Sequence, residues 1–187
     1  MTAEVLLRLL CLYAHLIACC FAICYVLSAD LKILKGSLSR SEMELTAHRM
    51  SQLLLALWAT GVPMVLIDLG GDLTLLFSKP KLVTKITCVG VLSLNALVLH
   101  RFAFPQLMSG ESLSSRNWNL IMCAGAVSTT SWMFAAFLGI AKPLATVLSV
   151  GQFLGLYLLV LVGALGMALL LAGHLRRQIA GSQLSAA

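Results

Sequence analysis

Five long apolar runs organise the chain: about Val5–Leu27, Met50–Leu69, Leu82–Phe104, Trp118–Ile140 and Leu144–Leu171. A bilayer core about 30 Å thick takes roughly 20 apolar residues per helix, so each run is long enough to cross it. The runs do not alternate apolar with polar residues, as the strands of a membrane barrel would. Polar or helix-breaking residues separate several of them: Gly70-Gly71, Ser78-Lys79-Pro80, Pro105 and Lys142-Pro143. Short connections force sequence neighbours to pack antiparallel. The predicted fold is therefore all-α, a polytopic membrane protein with a bundle of five transmembrane helices in one domain, residues 1–187.

The first run carries Glu4 ahead of Arg8 and no small-x-small cleavage site follows it, so it reads as a retained span rather than a signal peptide. In the longest connection, Ser41-x-x-Glu44 precedes Met43, Leu45, Ala47 and Met50 and reads as a capping box. The second helix is thus expected to begin near Glu42, in water, and to bend at Pro63.

Composition agrees with a lipid-embedded chain. Of 187 residues, 60% are hydrophobic and 11% charged, and the mean hydropathy is +0.97, whereas a soluble domain is about 25% charged. A soluble enzyme, a disordered chain and a nucleic-acid-binding domain are all excluded. The net charge of +6 follows the topology: eight Lys/Arg fall on the side of the C-terminus and five on the side of the N-terminus. The positive-inside rule then predicts an inner-membrane protein with its N-terminus out and its C-terminus cytoplasmic.

The few polar groups inside the spans are the functional candidates. Six cysteines, Cys11, Cys19, Cys20, Cys24, Cys88 and Cys123, lie within spans rather than in loops, which excludes a disulfide framework. Cys11, His15 and Cys19 recur every four residues and share one helix face. Thiolate and imidazole suit a soft or borderline metal such as copper(I) or zinc, while small-residue packing around a hydrogen-bonded histidine gives the same pattern. By helical rise, His15 and Asn95 lie at nearly one depth, with Ser128–Ser131 near the midplane of the fourth span. Together they form a possible central polar cluster. Asp68 and Lys85 each lie about 12 Å from the midplane on antiparallel neighbours, which predicts an intramembrane ion pair, with Gln152 near the same level. His48 and His100 fall toward the other side, where two facing imidazoles are what a bis-histidine haem requires. Their depths differ by about 8 Å, and His174 lies further out still. No nucleophile elbow, phosphate loop or His-Glu-x-x-His helix is present. Gly151-x-x-x-Gly155, followed by Gly163 and Gly166, marks a helix contact face.

Lys81–Pro105, with Lys85 opening a span, Asn95 within it and His100-Arg101 closing it before Pro105, resembles the corresponding region of the CopD copper-resistance family, and the likeness extends to Trp58-Ala59-Thr60-Gly61. Uncharacterised five-span bacterial inner-membrane proteins are similar to the same degree. The resemblance implies copper uptake or tolerance on a bundle related to dihaem b-type cytochromes, although the chain has no Met-rich or His-rich segment outside its spans. Three readings stand. The first is copper binding or conduction at Cys11, His15 and Cys19, gated by Asp68 and Lys85. The second is a haem b redox subunit using His48 and His100. The third is a non-catalytic accessory subunit of a larger membrane complex or a homo-oligomer.

Overall fold

A computed structural model describes residues 3–35, 40–108 and 114–185 of the chain. Among these residues the structure is all-helical: α1 (Ala3–Leu34), α2 (Arg40–Asp68), α3 (Pro80–Val98), α4 (Phe104–Met108), α5 (Ser115–Ile140) and α6 (Val150–Ser185). Short 3-10 turns occupy Leu73–Ser78 and Pro143–Thr146, and a π-turn spans Leu99–Ala103. Five helical segments are long and apolar enough to cross a bilayer: Ala3–Ile33, Glu44–Asp68, Pro80–Gln106, Ser115–Ile140 and Val150–His174. The protein is a multi-pass membrane protein of the predicted class.

The breakers act as their chemistry requires. The amides of Gly70 and Gly71 return to the carbonyls of Ile67 and Leu66, closing α2 with a Schellman motif. Both glycines have positive φ, 59° and 82°, a region that a Cβ disfavours. Pro80 opens α3 at its first turn, where no amide donor is needed. Pro105 cannot donate and its ring crowds the Arg101 carbonyl four residues back. The wider π-turn absorbs that conflict, and Phe104 N–H bonds to Leu99 O, five residues back.

Two boundaries differ from expectation. α1 continues through Asp30 to Leu34, because Leu31 and Ile33 prolong its apolar character past the charge. The fifth span does not start at Leu144 but at Val150, where Ser149 and Gln152 form a capping box. Ser149 N–H donates to Gln152 Oε1 at 2.9 Å, and Gln152 N–H to Ser149 Oγ at 3.4 Å. Gln152 is thereby held at a helix end and does not join Asp68 and Lys85. At the other end of the chain's capping signals, α2 begins at Arg40, so Ser41 already lies inside the helix.

Packing divides the bundle into a hairpin, α1 on α2, and a trio in which α5 lies between α3 and α6. The two groups meet mainly where α1 crosses α5, while α2 and α3 pack little backbone against each other. Trp132, 1% exposed, fills the crossing against Ala18, Ala22 and Val26 of α1, Leu57 of α2 and Leu92 of α3. A second core, Cys88, Phe134, Leu138, Phe153 and Tyr157, joins α3, α5 and α6. Large apolar side chains such as Leu10, Leu55, Leu94 and Leu170 point outward, as lipid-facing residues do.

Replacing Trp132 with Ala is expected to lower unfolding stability in detergent by about 3–5 kcal/mol, read as a shift in the thermal or denaturant midpoint. A second expectation concerns the 3-10 turn at Leu73, which Asp72 caps by accepting from Thr74 N–H at 2.9 Å and Thr74 Oγ1 at 2.7 Å. These bonds hold the exposed Asp72 carboxyl below its ordinary range. The cap's contribution is therefore complete above the ordinary carboxylate pKa and lost as pH falls through the lower folded value. Hydrogen exchange at Thr74 N–H, corrected for its intrinsic pH dependence, should accelerate only in that acid range.

Candidate functional site

The α1–α2 seam carries three side-chain rungs in antiparallel register. Arg8 Nε donates to Asp68 Oδ1 at 2.7 Å, His15 Nδ1 meets Thr60 Oγ1 at 2.9 Å, and Lys32 pairs with Glu42. Asp68 therefore pairs with Arg8, and the expected Asp68–Lys85 clasp does not form. Arg8 lies directly across the tight α1–α2 seam, and Lys79 Nζ already caps the Asp68 carbonyl at 2.5 Å. Lys85 is instead half-buried and forms no ion pair among the described residues.

His15 Nδ1 stands 2.9 Å from Thr60 Oγ1, which also reaches the carbonyls of Ala56 at 2.7 Å and Leu57 at 3.3 Å, so Thr60 ties the imidazole to the α2 backbone. The ring lies against Gly61, where a Cβ would make ordinary van der Waals contact with His15 Cε1 at 3.4 Å. The segment Trp58-Ala59-Thr60-Gly61 thus has a structural meaning, since Trp58 Nε1 also reaches Ser93 Oγ of α3 at 3.0 Å.

Cys11 and Cys19 share the half-buried face with His15, whereas Cys20 and Cys24 are exposed. The three do not converge. Four helical residues rise about 6 Å, so Cys11 and Cys19 stand about 12 Å apart along the axis, while a zinc–sulfur bond is about 2.3 Å. Among the described residues no three His, Cys, Asp or Glu side chains come together to hold an ion. The expected three-ligand centre is replaced by a row of single donors.

The central polar cluster also disperses. Asn95 is buried and donates to the Ala124 carbonyl of α5 at 2.8 Å, away from His15. Ser131 bonds Tyr157 Oη of α6 at 2.8 Å. Thr129 donates to the carboxylate of Asp30 on α1. Asp30 is the polar residue that sequence reasoning missed. Ending the first span at Leu27 put Asp30 in a loop, although the apolar residues beyond it carried the helix signal.

His48 and His100 do share a site. Both line a cavity of about 350 Å³ between the start of α2 and the π-turn, with Ser51, Phe104 and Glu44. His100 lies edge-on to Phe104, ring centroids 5.4 Å apart. Ser51 Oγ stands 2.6 Å from His100 Nε2 and reaches the Ala47 carbonyl at 3.0 Å, so this ring nitrogen is already engaged. A haem iron bound there would have to displace Ser51. The pair as folded does not fit axial ligation.

Comparison of the chain with protein-family models, with characterised proteins and with solved structures finds no match.

A double-mutant cycle checks the pairing. Asp68→Asn combined with Arg8→Gln should show a coupling of about 0.2–1 kcal/mol, as half-exposed pairs do, and Asp68→Asn combined with Lys85→Gln should show none.

Proposed function

We propose that this is a CopD-like membrane protein that binds and passes a soft transition-metal ion, copper(I), along the Cys11–His15–Cys19 face of α1. The observation that carries this reading is the 2.9 Å contact of His15 Nδ1 with Thr60 Oγ1, since an imidazole oriented through one ring nitrogen can offer the other to a metal. The two thiols on the same face supply softer donors about 6 Å to either side. Single donors at such intervals suit an ion in transit better than a resident one, which needs several ligands at once. Lys85, half-buried in α3, supplies a positive charge that slows cation passage. In the proposed orientation in a bacterial inner membrane, the N-terminus faces out and Arg8–Asp68 marks the outer end of the row.

A second reading has one observation. The outward α6 glycines, Gly151, Gly155, Gly163 and Gly166, meet nothing within 4 Å of a built Cβ. They favour an accessory subunit that co-purifies with partner helices or as a homo-oligomer.

Copper uptake tests the reading. Vesicles containing the full-length protein should take up copper(I), kept reduced, faster than protein-free vesicles. His15→Ala should abolish that gain, and Thr60→Val should reduce it about 10–100-fold. Lys85→Gln should speed entry. Uptake no faster than in protein-free vesicles refutes the reading.

A further inference from the structure

Three lysines lie at one end of the α3–α5–α6 trio. Lys81 and Lys85 occupy the first two turns of α3, and Lys142 the turn that follows α5. α3 begins where α5 ends, and Leu144, two residues beyond Lys142, packs on the core that holds Cys88 of α3. Among the described residues none of the three lysines enters an ion pair. The acids that precede them in the chain are committed elsewhere: Asp68 to Arg8, and Asp72 to the cap at Thr74. Lys79 is committed too, to the Asp68 carbonyl.

Depth and spacing distinguish this pair on α3 from an ordinary basic surface. Lys81 and Lys85 are four residues apart, so they share a helix face one turn from each other, where like charges repel. Both are half-buried, and Lys85 stands about 8 Å along the axis inside the span that begins at Pro80. An ammonium at that depth without a counter-charge is costly, and its flexible stem carries the head back toward the end of the span, where Lys81 sits. The two turns together call for a negative group that stands at the hydrocarbon boundary. An anion free in water would have to shed its hydration to reach Lys85. A phosphate that carries acyl chains is held at that boundary already, and the half-buried Ile86 and Val89 continue α3 below it as apolar surface.

We propose that Lys81 and Lys85 bind the phosphate of an anionic phospholipid, with Lys142 adding positive charge from the turn after α5. Both ammonium groups donate to phosphate oxygens, and the acyl chains run along α3 toward the bilayer centre. A lipid bound here offsets the Lys85 charge that slows cation passage in the copper reading. Binding is read on protein without copper, so failure of either reading leaves the other standing.

Native mass spectrometry of the full-length, copper-free protein in neutral detergent tests the proposal, with phosphatidylglycerol and phosphatidylcholine of identical chains as probes. One phosphatidylglycerol per chain is expected, bound about tenfold or more tightly than phosphatidylcholine. Lys81→Gln and Lys85→Gln should each weaken it about tenfold, the effect of one charge-assisted hydrogen bond. Lys85→Arg keeps the charge and should retain the lipid, which separates lost binding from lost folding. Arg101→Gln, exposed at the other end of that span, should change nothing. Equal affinity for the two lipids, or wild-type affinity in the Lys81→Gln, Lys85→Gln double variant, would overturn the proposal. Displacement of the lipid by inorganic phosphate at equal concentration would overturn it as well and assign the lysines to a free anion.

Discussion

Helices already immersed in lipid gain little hydrophobic energy from meeting each other, so their contacts must come from close packing and interhelical hydrogen bonds. In this bundle that constraint is met most fully where α1 crosses α5. Ala18 and Ala22 are small enough to admit the Trp132 indole, which then touches α1, α2 and α3 at once. The Asp30–Thr129 bond fastens the same pair of helices nearer the end of α1. Since the hairpin and the trio are joined mainly here, the position of every other seam follows from this one. On the α2–α3 side the backbones pack little, and side chains bridge them: Trp58 Nε1 donates to Ser93 Oγ at 3.0 Å, and Leu57 shares a core with Leu92.

The polar side chains gain their meaning from that layout. Asn95, Ser131 and Thr129 each bond a neighbouring helix, which is how a polar group in hydrocarbon avoids a large desolvation penalty. Arg8, Asp68, Lys32 and Glu42 are matched in pairs at the two ends of α1. His15 is likewise tied to α2 through Thr60, at the level where the α1–α2 seam is otherwise apolar.

The spans were legible in the sequence because length and hydropathy alone decide whether a helix can cross a membrane. Glycine and proline placed most of the boundaries correctly for the same local reasons. Rotation about the helix axes was not legible. Residue depth put Asp68 level with Lys85 and His15 level with Asn95, but depth does not say which faces meet, and both partnerships went elsewhere. The converse holds for His48 and His100, whose depths differ by about 8 Å on straight helices yet which line one cavity, since the π-turn shifts His100. Ser149-x-x-Gln152 was readable as a capping box from its spacing alone, and the apolar run on either side hid it. Asp30 escaped notice because a charge was taken as the end of a helix that continued past it.

The two ion pairs on α1 also fix a length. Arg8 and Lys32 are separated by 24 residues, about 36 Å of helix, against a hydrocarbon core of about 30 Å. Each charge is tied to α2, so neither can slide along the seam to suit a thinner bilayer. The α1–α2 hairpin is in effect a ruler with charged ends. In a membrane thinner than its span it must tilt to keep both charged ends at the interfaces.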